Sequence, residues 1–181
     1  IGTIAAGRIG YDMLRKMAPF DVHLHYTDRH RLPAEKEAKL NLQYHETVES
    51  LVGVCDVINI SCPLHPETEH LFNEELLGKC KPGAYLINTA RGKICDRAAI
   101  AKALESGQLS GYAGDVWFPQ PAPIEHPWRT MPNHGMTPHT SGTTLSAQTR
   151  YADGVREILE CFFDGHEIRN EYKIVSDGQL A

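Results

Sequence analysis

The stretch IGTIAAGRIGYDMLRKMA, residues 1–18, decides how the rest of the chain is read. Residues 1–4 read as the end of a strand and residues 8–18 as a helix closed by Pro19. Between them stands Ala5-Ala6-Gly7-Arg8-Ile9-Gly10, a G-x-G-x-x-G turn with alanine in the first glycine position. Gly7 lets the main chain approach a pyrophosphate, and Gly10 lets the helix pack close to the strand. The helix N-terminus offers N–H groups and the positive end of its dipole to an anion. Asp28 lies just past the second expected strand, where a carboxylate accepts hydrogen bonds from the adenosine ribose hydroxyls. A 2′-phosphate there would meet a negative charge, so NAD is expected over NADP, with Arg29 as a neighbouring cation that opposes this preference.

Outward from that turn, apolar β-branched runs alternate with helical patterns. Strands are expected at 1–4, 20–26, 56–60, 84–88, 111–116 and 135–137, and helices at 8–18, 34–39, 47–53, 73–79 and 96–106. Asp96 and Asn73 stand where N-caps belong, and Gly107 where a helix stops. Repeated strand–helix–strand units mean parallel strands joined by crossovers, and mostly apolar strands mean helices on both faces. The expected fold is an α/β doubly wound parallel sheet, Rossmann-like. After residue 140 the pattern changes: GTTLSAQTRYADGVREILECFFDG reads as one long helix, with Leu145, Tyr151, Val155, Leu159 and Phe162 or Phe163 on its apolar side, followed by a polar tail. The division expected is 1–140 as an NAD-binding domain and 141–181 as a helix and tail that cover the sheet or return toward a substrate domain.

A net charge of −5 without a basic patch sets nucleic acid aside as a partner. No apolar run approaches membrane-spanning length, and no secretory signal is visible. Five scattered cysteines, Cys55, Cys62, Cys80, Cys95 and Cys161, without a C-x-x-C pair, suit packed thiols in a reducing cytoplasm. The chain opens without methionine on what reads as a strand already under way, and is expected to be a piece of a longer one.

Three side chains are placed by topology at carboxyl ends of strands, where open parallel sheets bind ligands. Arg91, in NTARG after strand 84–88, offers a guanidinium matched to a carboxylate. His139, in TPHTSG, follows the last short strand. Gln120 follows GYAGDVWF and sits between Pro119 and Pro121, which stiffen the backbone around one neutral amide. His23 and His25 alternate on a strand, and His65 and His70 bracket Glu67 and Glu69, but neither group has a recognisable ligand spacing, so no metal is expected.

Arg91, Asp115, Gln120 and His139, with AAGRIG and Asp28, resemble the D-2-hydroxyacid dehydrogenase superfamily and, within it, the NAD-dependent formate dehydrogenases. The stretches HYTDRHRLP, CPLHPETEH, NTARGK, CDR, GYAGDVWFPQPAP, HPWRTMP and MTPHTSGTT carry the resemblance over most of the chain. It implies Arg91 and His139 as active-site residues, with Gln120 in contact with His139. Asp115 and Ser141 would lie near the nicotinamide and Pro63 and His65 along the cofactor, with Thr89, Ala90 and Gly142 also among the cofactor-binding residues. It also implies formate as substrate, a homodimer, and an N-terminal substrate domain that precedes residue 1 and takes back the C-terminal segment. Ala5 departs from the general fingerprint, and formate dehydrogenases of this type tolerate it. Two alternatives stay open: a dehydrogenase of 2-hydroxyacids, and a non-catalytic NAD-binding module. Formate is already ionised, so its oxidation needs no base. A hydroxyacid must lose an alcohol proton, usually to a histidine held by glutamate. Gln120 therefore favours formate, and the pairing of Arg91 with His139 favours catalysis.

Overall fold

The computed structural model describes residues 1–173, 175–176 and 179–180. The glycine turn joins β1 (Gly2–Ile4) to α1 (Arg8–Met17). There follow β2 (Leu24–Thr27), α2 (Ala34–Leu40), β3 (Leu42–Tyr44), α3 (Val48–Val52), β4 (Val57–Ile60), α4 (Glu74–Lys79), β5 (Ala84–Asn88), α5 (Arg97–Glu105), β6 (Leu109–Gly114) and β7 (His134–Met136). These seven strands form one sheet in the order β3-β2-β1-β4-β5-β6-β7, with every pairing parallel. The order reverses at β1, which pairs with β2 on one side and β4 on the other. The carboxyl ends of β1 and β4 therefore flank the switch point, where a doubly wound sheet opens a crevice for ligands.

The core falls into two clusters. The larger one packs Leu51, Ile58, Ile60, Leu77, Leu86 and Ile100 with the indole of Trp128. The smaller one, Ala6, Leu14, Leu24, Tyr26 and Leu42, seats α1 on the short side of the sheet. Expected caps are in place: the Asp96 carboxylate accepts from the N–H groups of Ala98 and Ala99 at 2.9 Å each, and the Asn73 amide oxygen from Leu76 N–H at 2.9 Å.

Apart from shifts of a single residue at β1, β4 and β7, the strands depart from expectation at three places. β3 was not foreseen: three residues with one buried side chain carry too little alternation to register, and their strand state comes from pairing with β2. Residues 20–23 turn rather than extend, with Phe20 N–H on the Met17 carbonyl and Val22 N–H on that of Phe20. β6 starts earlier, at Leu109, and ends at Gly114, because β5, its partner, ends at Asn88. Asp115 therefore lies one residue beyond the strand.

The chain divides into two units, Ile1–His139 and Thr140–Ala181. In the second, α6 (Leu145–Asp164) is capped by Thr144, whose hydroxyl accepts from Ala147 N–H, and it ends at Gly165 in the left-handed region. Leu145, Tyr151, Val155, Leu159, Phe162 and Phe163 are exposed. Tyr172 Oη lies 3.1 Å from Glu157 on α6. Strands β8 (Val175–Ser176) and β9 (Gln179–Leu180) pair antiparallel. The expected polar tail falls in part outside the described residues. No helix among the described residues is long and apolar enough to cross a membrane, and among them no cluster of three or more metal-ligating side chains occurs.

Two stability predictions follow from these contacts. Replacing Asp96 by Ala removes the acceptor of two N–H groups and should cost about 1 kcal/mol in urea unfolding; an unchanged midpoint would refute the cap. On β2, His25 Nδ1 lies 2.9 Å from His45 Nε2. Burial, helped by the neighbouring charges of His45 and His23, pushes the His25 pKa down to about 4. The folded state thus favours neutral His25, and this contribution is complete above the ordinary value of 6.5 and is lost as pH falls toward 4. The stability–pH curve of a His25→Gln variant should be flatter across that interval.

Candidate functional site

The cofactor end is built at the switch point. Ala5 takes φ +69°, the left-handed region that glycine enters freely and alanine enters at a cost of roughly 1 kcal/mol. A Cβ on Gly10 would lie 2.1 Å from the Ala5 carbonyl oxygen, so only glycine lets α1 leave the strand at this angle. Gly7 differs: a Cβ there meets nothing within 4 Å, and the residue supplies no side-chain cap to α1. The first N–H groups of the helix have no intrahelical acceptor, and no acid stands in its first turn. A bare, uncapped N-terminus facing open space suits a pyrophosphate, so the residues present fit a dinucleotide.

Asp28 follows β2 directly. One carboxylate oxygen accepts Ala6 N–H at 2.7 Å and the other accepts His30 N–H at 3.0 Å. The acid thus fixes the glycine turn, and each oxygen retains a lone pair for a hydroxyl. Arg29 is exposed beside it. Across the switch point, the Asn59 amide donates to Thr3 Oγ1 at 3.1 Å and to Ser61 Oγ at 2.7 Å. Thr3 Oγ1 in turn donates to the Ala5 carbonyl at 3.2 Å. This buried polar network bolts β4 to the turn. The loop after β4 carries Pro63 and His65, held by Thr68: its hydroxyl accepts His65 N–H and lies 2.8 Å from the Pro63 carbonyl. Cys62 beneath them is buried, and burial raises its thiol pKa to about 11, which keeps it protonated and inert.

The candidate catalytic residues come from the loops after β5, β6 and β7. Arg91 is exposed, with Nη1 donating to the Ala90 carbonyl at 2.7 Å. Its loop is organised by Asn88, which is fully buried: the amide oxygen accepts Ala90 N–H and the NH₂ donates to the Arg91 carbonyl, both at 3.0 Å. Thr89 and Ala90 complete that loop. His139 takes φ +64°, and its Nδ1 lies 2.9 Å from the Gln120 amide oxygen, so Nδ1 carries the proton in this arrangement. The Phe118–Pro119 and Gln120–Pro121 bonds beside it are cis.

The three loops are locked together. A Cβ on Gly92 would lie 2.5 Å from the Trp117 carbonyl carbon, so the Arg91 loop rests directly on the backbone that leads to Gln120. The Trp117 indole donates to the Thr137 carbonyl at 2.8 Å, and the Thr137 hydroxyl donates to Asp115 at 2.5 Å. Asp115 is buried and hydrogen-bonded, three strands over from the glycine turn. Asn88, Trp117 and Thr137 were not singled out from sequence. A buried asparagine at a strand's end gives no signal until its partners are folded around it. Ser141 and Gly142 belong to the second unit, in the turn closed by Thr143 N–H on the Thr140 carbonyl at 3.0 Å.

Known proteins resemble this chain in sequence and fold. The chain is 68% identical over its full 181 residues to a formate dehydrogenase of Pseudomonas sp. (strain 101), of which it covers 45%. A solved formate dehydrogenase of Granulicella superposes with TM-score 0.90 at 64% identity, covering 99% of this chain and 48% of that one. A Staphylococcus aureus NAD-dependent formate dehydrogenase, solved in complex with NAD, superposes with TM-score 0.81 at 45% identity, covering 97% of this chain and 51% of that one. The chain thus spans about half the length of the relatives it matches. With residues 1–141 matching the family described as D-isomer specific 2-hydroxyacid dehydrogenase, NAD binding domain, the chain belongs to that family.

Proposed function

We propose that this chain is the coenzyme-binding half of an NAD-dependent formate dehydrogenase, which oxidises formate to carbon dioxide and produces NADH. The observation that carries this is the partner of His139: a glutamine amide 2.9 Å away, where oxidation of a hydroxyacid calls for a carboxylate. The names of the relatives support it. When bound, NAD+ supplies the acceptor for the hydride that leaves the formate carbon.

The residues divide the work. Main-chain N–H groups of Gly7, Arg8, Ile9 and Gly10 hold the pyrophosphate, and Asp28 holds the ribose. Pro63 and His65 line the adenosine side, and Thr89, Ala90, Asp115, Ser141 and Gly142 line the nicotinamide side. Arg91 donates to one formate oxygen, and His139 donates to the other from Nε2 when the Gln120 amide is turned so that its NH₂ meets Nδ1. Formate carries its charge already, so no proton has to leave, and the site serves to position the carbon. Gln120 suits that task. A half-turn of its amide exchanges oxygen and nitrogen in place, so it supports a proton on either ring nitrogen of His139. A glutamate could only accept, and its charge would favour the imidazolium. As the hydride leaves, the carboxylate loses its charge, so a grip on formate stronger than this would stabilise the ground state more than the transition state.

The same proposal takes residues 141–181 as a segment that contacts a substrate domain. It takes the working form as a cytoplasmic homodimer without nucleic-acid partners. The exposed apolar stripe of α6 supports the association, and the buried free thiols of Cys55, Cys62, Cys80 and Cys95 support a reducing compartment. Relatives named as mitochondrial or chloroplastic show that compartment varies among similar proteins.

In the full-length protein, Arg91→Ala should lower kcat/KM for formate by at least about 10-fold, the equivalent of a lost charged hydrogen-bond pair at roughly 1.5–3 kcal/mol; retention of kcat/KM would remove Arg91 from the site. Gln120→Glu places a carboxylate beside His139, favours the imidazolium, and should move the pH–rate profile to higher pH. A superimposable profile would refute the orienting role. Asp28→Ser should narrow the preference for NAD over NADP, read as the ratio of their dissociation constants, by about 10-fold or more. An unchanged ratio would place cofactor selection elsewhere.

A further inference from the structure

Gln120 lies on an exposed loop, yet its amide is aimed at one nitrogen of His139. The aim is set by a turn that no assigned role covers. Pro127–Arg129 forms a short 3-10 turn, and His126 is its N-cap. The ring is 2% exposed, and its Nδ1 accepts Trp128 N–H at 3.2 Å. The proton therefore sits on Nε2, which faces the Phe118 carbonyl at 3.0 Å and donates to it. Both protein partners of the neutral ring are thus fixed. Burial lowers its pKa, with Arg97 and Arg129 acting in the same direction against the Phe118 carbonyl. Trp117 and Trp128 pack on the ring with centroids at 5.3 and 5.1 Å. Trp128 is fully buried, and its indole donates to the Arg97 carbonyl at 3.2 Å, which anchors the turn in the core. Arg129 grips the other side of the loop, donating to the carbonyls of Ala122 and Pro123 at 2.8 Å each. Gln120 lies between the two holds.

We propose that His126 is a positioning residue for hydride transfer: through the Phe118 carbonyl it holds the Gln120 loop so that the amide meets His139. His126 donates only to backbone and acts through Gln120. The inference rests on the proposed role of the Gln120–His139 pair.

Two substitutions separate this role from simple capping. In His126→Asn, the amide oxygen stands where Nδ1 stands, so the cap on Trp128 is kept and the reach to Phe118 is lost. In His126→Gln, the amide nitrogen reaches as far as Nε2, so the hold on Phe118 is kept and the cap is lost. In the full-length protein with formate and NAD, His126→Asn should lower kcat by about 10-fold or more while the dissociation constant of NAD changes less than about twofold; a displacement near 1 Å at a reacting group costs up to about 100-fold. His126→Gln should recover most of that loss. Wild-type kcat in the Asn variant, or a Gln variant no better than Asn, would overturn the proposal. So would loss of folded protein in both, read from the thermal midpoint, because His126 would then be structural only. On a Gln120→Ala background, His126→Asn should lower kcat by less than about twofold, since the two act as one unit; full multiplication of the two effects would overturn it. If Gln120→Ala alone leaves turnover unchanged, the proposed role of the pair fails; if it lowers turnover while His126→Asn does not, only the inference about His126 fails.

Discussion

β1 pairs in parallel with β2 on one side and β4 on the other, and the glycine turn and Asp28 take their places from that arrangement. A parallel sheet brings all its carboxyl ends to one edge, and reversal of strand order opens a crevice there. The chain must then turn from β1 into α1 without collision, beside the departing β4. Gly10 meets that demand by lacking a Cβ 2.1 Å from the Ala5 oxygen. The Thr3, Asn59 and Ser61 side chains meet it by satisfying one another across the gap. Buried polar groups of this kind are costly if left unpaired, so the network also specifies how β4 sits against the turn.

The far side of the site is built differently. At the glycine turn, the groups on offer are main-chain N–H groups and the Asp28 carboxylate that fixes them. Along β5, β6 and β7, exposed side chains are borne on loops whose backbones touch. Gly92 against Trp117, the Trp117 indole on the Thr137 carbonyl, and Thr137 on Asp115 tie three separate connections into one body. Arg91 and His139 can then be exposed and long-reaching while their backbones are held. Rigidity is supplied from beneath by Asn88 and Trp128, both fully buried. This suits a site whose chemistry needs orientation more than proton transfer.

Much of this is legible in the chain itself. Alternation of strand and helix, the glycine turn and Asp28 are local patterns, and each lies where its pattern puts it. Asp96 and Asn73 cap as their positions suggest, since a cap depends on residues only two or three away. Strand limits are less legible: β3 exists because β2 offers it an edge, and β6 stops where β5 stops. The proximity of Gln120 to His139 is suggested by resemblance. Its geometry, 2.9 Å from Nδ1, belongs to the folded chain.

The sequence by itself determined the fold class, the glycine turn, and the acid and basic residue types that follow the strands, because these rest on periodicity and on neighbours along the chain. The tertiary structure alone decided how they are held. Asn88 under the Arg91 loop, the polar bridge between Thr3 and Asn59, and His126 between two tryptophans join residues that are far apart in sequence or that carry no pattern of their own. Such contacts arise from the packing of parallel strands side by side, and only that packing determines which buried donor finds which acceptor.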